Sequence, residues 1–149
     1  MKRYIFLTAL TVVCLMGCRS PKAIYNAVGI SDDANSITLR CNGYGVSDAD
    51  ALADAGRYAV EQLLFRGVPN SNQRNPLIGT DEATARTQYK AYISDLFDKR
   101  RYLSFLTLSA PVDVGTERGK HWTVADITVN LRAVRTDLEQ AGVIRKFGL

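Results

Sequence analysis

Few groups in this 149-residue chain have types and spacings that bear on chemistry. Gly43-Tyr44-Gly45 precedes a helix start, the position of a phosphate-binding loop. The third glycine of a dinucleotide fingerprint would fall at Asp48, and a phosphate there would meet Asp48 and Asp50. Turn glycines that permit a positive φ are the better expectation. His121 is the one imidazole in the chain, too little for a metal cage or a recognisable nucleophile–base pair. It reads as a surface residue at a strand end. Asp48, Asp50 and Asp54 fall on one helix, but only Asp50 and Asp54 share a face, so they read as helix-start charges rather than an acid/base pair. The expectation is therefore no catalytic residue, no metal site, no cofactor and no enzymatic activity.

Two clusters are candidates for partner binding. Lys99-Arg100-Arg101 is the densest run of charge. It suits either a solvated helix–strand junction or contact with anionic headgroups or an acidic partner, although polybasic lipid sites use about 4–8 cations. Phe65-Arg66-Gly67-Val68-Pro69 puts an aromatic and an arginine at a helix end beside a long loop. Such residues are frequent in interface hot spots. The plainer alternative is Phe65 as a core plug and Arg66 as a partner for the helix dipole.

The most specific chemistry lies at the N-terminus. Lys2 and Arg3 precede a charge-free apolar run from Tyr4 to Met16. That run is short of the roughly 20 residues of a spanning helix and fits the hydrophobic region of a secretory signal. It ends in Leu15-Met16-Gly17-Cys18, which resembles a bacterial lipobox. Met16 is bulkier than the small residue usual at its position. The resemblance implies that a diacylglyceryl group is added to the Cys18 thiol, that cleavage follows Gly17, and that Cys18 becomes an acylated N-terminus bearing palmitate-type chains. Residues 1–17 are then the signal, 18–36 a lipidated tether and 37–149 a single domain. Lipoproteins of some bacterial groups carry acidic residues just after the Cys as a surface-export signal; Arg19-Ser20-Pro21-Lys22 contains no acid, so the resemblance implies a periplasm-facing position on the outer membrane.

Hydrophobic residues make up 46% and charged residues 23%, so the body is expected to fold. The formal charge is +4, and loss of Lys2 and Arg3 with the signal leaves about +2. No long block of like charge announces a nucleic-acid partner. Cys14 departs with the signal and Cys18 is acylated, so Cys41 stands alone. It reads as a small buried strand residue, with an intermolecular disulfide as the alternative.

The elements that position these groups follow from periodicity. Ile37 to Cys41 alternates as a half-buried strand. Ser47 caps a helix whose stripe of Ala49, Leu52, Ala53, Gly56, Ala59, Val60, Leu63 and Leu64 is small enough to lie close to a sheet. Gly67 and Pro69 end it, residues 68–80 form a loop, and Thr80-Asp81-Glu82 begins a second helix. Tyr102 to Leu108 reads as a strand that Ser109-Ala110-Pro111 ends or interrupts, with Val112 and Val114 continuing toward a turn at Gly115–Gly119. In His121 to Leu131, Thr123, Ala125, Ile127, Val129 and Leu131 face the core. Thr136-Asp137-Leu138-Glu139 caps a last helix, Gly142 closes it, and Phe147 folds back on the body. The order β-α-α-β-β-α predicts an α+β fold, a small mainly antiparallel sheet with helices on one face.

Leu39-Arg40-Cys41-Asn42-Gly43-Tyr44-Gly45, followed by Asp50-Ala51-Leu52-Ala53-Asp54-Ala55, resembles the strand, Gly-x-Gly and small-residue helix of the LPP20-type lipoproteins and of the N-terminal domain of flagellar assembly protein T. The likeness covers most of residues 37–142. The segment Leu63-Leu64-Phe65-Arg66-Gly67-Val68-Pro69 also resembles small Bacteroidota lipoproteins of unknown function. The resemblance implies a cell-envelope lipoprotein with a non-catalytic domain and brings no catalytic residues. The expected role is a protein-binding or assembly module, held to the membrane by its N-terminal lipid, whose partner is another envelope protein or a second copy. An enzyme acting on peptidoglycan or glycan is the alternative from another class, and a self-assembling structural lipoprotein is the third.

Overall fold

Alternation along Ser36–Gly45 and Lys120–Asn130 builds the centre of the domain. The computed structural model describes residues 24–79 and 81–146. The signal and lipobox residues, Cys18 among them, together with Thr80 and Phe147, lie outside the described residues. The strands are β1 (Ala27–Asp32), β2 (Ser36–Gly45), β3 (Leu106–Glu117) and β4 (Lys120–Asn130). The helices are α1 (Asp48–Phe65), α2 (Glu82–Gln88), α3 (Lys90–Asp98) and α4 (Leu131–Gln140), with a 3₁₀ turn at Arg101–Phe105. The four strands form one antiparallel sheet in the order β1-β2-β4-β3. The fold is α+β.

The inward faces of β2 (Ile37, Leu39, Cys41) and β4 (Ala125, Ile127, Val129) pack on Val60, Leu63 and Leu64 of α1, with Leu96, Val134 and Leu138 closing the core. Each large side chain so buried contributes about 1.5–3 kcal/mol. The small residues of α1 bring its axis down onto β2: Ala51, Ala55 and Ala59 are fully buried. Gly43 and Gly45 serve the same approach. They lie within β2, and the positive-φ glycines among the described residues are Gly67, Gly119 and Gly142. The expected turn at Gly43-Tyr44-Gly45 is thus corrected: a Cβ at Gly43 would stand 2.1 Å from the Ala51 carbonyl oxygen.

Four elements depart from the sequence expectation. Residues 27–32, read as tether, form β1. Ala27 pairs with Cys41 and Asp32 with Ile37, with a register shift between Gly29 and Ser31. The carboxylate of Asp33 closes the β1–β2 turn by accepting from the amides of Asn35 (2.7 Å) and Ser36 (2.8 Å), and these bonds hold its carboxyl below the usual carboxylate range. The domain therefore starts before residue 37. Tyr102 to Phe105 forms the 3₁₀ turn rather than a strand start, because Tyr102 and Phe105, three apart, both turn into the core. The last helix starts at Leu131, five residues before the expected cap at Thr136; Asn130 caps it by accepting from Ala133 N–H at 2.9 Å. The second helix is broken into α2 and α3 at Tyr89.

Ser47 caps α1 by accepting from Asp50 N–H. The β3–β4 turn is tighter than the Gly115–Gly119 expectation. Arg118 and Gly119 both take positive φ, the pattern of a two-residue hairpin turn. Gly115 stays in the strand opposite Trp122, and its missing Cβ makes room for the indole.

Candidate functional site

Three titratable groups of α1, Asp54, Arg57 and Glu61, are joined in one ladder. Tyr25 donates its hydroxyl to Asp54 (2.8 Å), and Arg57 bridges Asp54 (2.9 Å) and Glu61 (2.7 Å). Arg86 of α2 meets Glu61 at 3.3 Å and Glu82 at 2.8 Å, and Glu82 also takes Arg66 at 2.8 Å. Acids and bases alternate along the whole run. Burial, and then the Asp54 carboxylate, push the Tyr25 phenol up to about 12. Burial of Arg57 works against its charge, but Glu61 and Asp54 outweigh it and raise the guanidinium. A cleft of about 370 Å³ opens beside the ladder, lined by Arg57, Glu61, Arg86, Lys90, Ile93 and Phe97. Its two arginines are already paired with carboxylates. Among the described residues, no group of three or more His, Cys, Asp or Glu is placed to hold a metal.

Glu61 is the rung on which the ladder turns from α1 to α2, and its side chain is only 12% exposed. Glu61→Gln should lower stability by about 2 kcal/mol, because both arginines lose half of their compensation while keeping Asp54 and Glu82. A urea midpoint equal to that of the parent protein would show that solvent already screens the ladder.

The five residues expected to bind a partner are used differently. Phe65 is buried with the Arg86 guanidinium 4.6 Å above its ring, so the core-plug alternative describes it. Arg66 is tied to Glu82. Lys99 pairs with Asp95 at 2.6 Å, and Arg101 with Asp95 and, at 2.7 Å, Asp137. Hydrogen bonds from Lys99 and Arg101 hold the Asp95 carboxyl below its ordinary range. Arg100 is exposed and in no ion pair among the described residues, with its backbone in the left-handed region at φ 57° where α3 turns into the 3₁₀ segment. The two clusters are not brought together. Phe65 and Arg66 lie at the end of α1, whereas Tyr102 beside Arg101 donates to the Ala53 carbonyl near its start (3.1 Å).

Other candidates resolve in the same way. His121 Nδ1 lies 2.6 Å from Asp48 at the exposed start of α1, a pairing that sequence separation concealed. Asp50 accepts from Ser47 and Asp54 from Tyr25, so the two acids do not face one another as a pair. Cys41 is fully buried, and burial, with the charge of Asp126 second, pushes its thiol up to about 12. That environment fits a core residue and opposes the intermolecular disulfide.

The expected arrangement of helices on one face leaves the other side of the sheet open, but sequence reasoning did not single that side out as a site. Among the described residues no helix covers it. Across its two central strands the opposed pairs are Thr38 with Thr128, Arg40 with Asp126, Asn42 with Val124, and Tyr44 with Trp122. The threonine hydroxyls meet at 2.9 Å, and Arg40 grips Asp126 through two bonds of 2.8 and 2.9 Å. The flanking strands add exposed apolar side chains: Val28 and Ile30 on β1, at 50% and 48% exposure, and Leu108 on β3, at 55%. A groove of about 300 Å³ runs along β1 beside Pro69 and Asn70. The half-apolar outward set of β4, Trp122 and Val124, was the one sequence signal for this face; β1 offered none. No family model, curated protein or solved structure matches the chain.

Proposed function

We propose that this chain is a lipid-anchored cell-envelope protein whose α+β domain is a non-catalytic protein-binding module, with a partner protein seated on the uncovered sheet face. The observation that carries the reading is that face: a hydrogen-bonded polar centre flanked by exposed Val28, Ile30 and Leu108, with Trp122 at one end. Mixed polarity with an aromatic is typical of interfaces between proteins that also exist apart. The occupant that suits it is an envelope protein offering apolar side chains to the flanks and hydrogen-bonding groups to the centre. The ion-pair ladder supports the non-catalytic part, since its acids and bases neutralise one another. The lipobox-like Leu15-Met16-Gly17-Cys18 supports the anchor, and the acid-free Arg19-Ser20-Pro21-Lys22 supports the periplasmic side of the outer membrane. The resemblance to LPP20-type lipoproteins points the same way.

The test places a photo-crosslinking residue at Thr38 in cells. One envelope protein should be captured in stoichiometric yield, and Val124→Glu on the same face should abolish the adduct. Adducts only between copies of this chain would make it self-assembling. No adduct at all would sink the docking face and return attention to an enzyme acting on peptidoglycan or glycan.

A further inference from the structure

We infer that the end of the domain bearing Ile24 and Val46 rests on the bilayer that holds the Cys18 lipid, with these two side chains in the headgroup layer. The inference rests on the proposed acylation and adds an orientation to it. Its first support is where the folded chain begins. Tyr25 is clamped: its hydroxyl bonds Asp54, its ring lies 4.9 Å from that of Tyr58, and it meets Tyr44 edge-on at 5.5 Å. Tyr44 in turn donates its hydroxyl to the Ile24 carbonyl at 2.9 Å. The domain is thus fastened from Ile24 onward. Six residue steps separate Cys18 from Ile24, a reach of at most roughly 20 Å when fully extended. A tether running to Ser36 would have allowed roughly three times that.

The second support is what that end exposes. Ile24 is 76% exposed and Val46 85%, the two most exposed large apolar residues among those described. Tyr44 lies between them in sequence and bonds one of them. Aromatic rings with a polar tip favour the membrane interface. The opposite end of β2, where Asp33 closes the turn onto Ser36, is about 30 Å away at the rise of an extended strand. Charge adds little. Arg118 and Lys120 on the neighbouring hairpin are offset by Glu117, Asp48 and Asp50. The contact made by the folded end is therefore apolar; Arg19 and Lys22 of the tether lie near the bilayer in any pose, so it is the difference between the two ends of the domain that should be nearly indifferent to salt. In this pose the strands stand away from the membrane, and the uncovered sheet face opens sideways to a partner.

The experiment uses the full lipidated protein in vesicles of phosphatidylethanolamine and phosphatidylglycerol. Val46→Cys and Ala34→Cys each receive a bimane probe; native Cys41 is buried and Cys18 is acylated, so the introduced thiol reacts. Nitroxide-bearing lipids should quench the Val46 probe several-fold more than the Ala34 probe at low and high salt alike. That difference should persist when a Gly/Ser segment is inserted after Lys22. Equal quenching at the two positions, or loss of the difference with the longer tether, would overturn the inference while leaving the anchor intact. Protein that does not float with vesicles and whose N-terminal peptide lacks acyl mass would instead refute the anchor, and the inference with it.

Discussion

Gly43→Ala should cost about 3 kcal/mol, the upper end of what overpacking usually does. The added Cβ would lie 2.1 Å from the Ala51 oxygen, 2.3 Å from the Ala55 nitrogen and 2.9 Å from the Ala55 Cα. All three atoms belong to the backbone of α1, so no side chain can swing aside. The helix must lift by on the order of 1 Å, and a core at crystal-like density does not absorb that locally. Lifting α1 weakens the seating of Leu63 and Leu64 over Ile37, Leu39 and Ile127, all fully buried. Gly79→Ala is the control, since nothing lies within 4 Å of its added Cβ. Urea denaturation of the two variants should give well-separated midpoints. Coincident midpoints would mean that α1 does not sit on β2 as described.

The same glycine shows what the sequence could and could not say. The small residues of α1 announced a close helix–sheet approach, but the first turns were read out of phase: Ala51 and Ala55 are buried, whereas Ala49 is exposed and Ala53 half-buried. The alternation of β4 announced the buried face, a local periodicity. The partner of the stripe was not legible, because Gly43 and Gly45 look identical whether they relax a turn or clear a helix. β1 was hidden for a related reason. Gly29 and Ser31-Asp32-Asp33 have linker composition, and the strand exists through its pairing with β2 and the Tyr25 clamp, which are contacts made elsewhere in the chain. Of the basic cluster, the Lys99–Asp95 pair is local, at helical spacing, and was overlooked; only the grip of Arg101 on Asp137, 36 residues away, was hidden by sequence distance. The candidate face suffered most. Its centre is built from β2 and β4, which sequence reading placed, but its apolar flanks Val28 and Ile30 come from the strand it did not find.

Cys18→Ala should move the protein from the membrane to the soluble fraction, and this is the largest functional effect expected. Acyl chains are worth about 0.8 kcal/mol per buried methylene, so one myristoyl chain binds only marginally, whereas the two or three chains implied for Cys18 anchor stably. No other described part of the chain replaces them: among the described residues no helix is long and apolar enough to cross a membrane. The contact proposed for Ile24 and Val46 is two side chains, each worth at most a few kcal/mol, which orients a tethered domain but does not retain a free one. Fractionation must be read together with the mass of the N-terminal peptide, since an uncleaved signal could itself hold the variant back. The parent should resist high salt, partition into detergent and carry acyl mass on Cys18. The variant should lose that mass and, once cleaved or expressed from residue 19 onward, appear soluble with its urea midpoint unchanged. Membrane retention of such a soluble form would assign the anchoring to the folded domain. The end bearing Ile24 and Val46 would then be the first surface to substitute, because a tether of roughly 20 Å already brings it within reach of the bilayer.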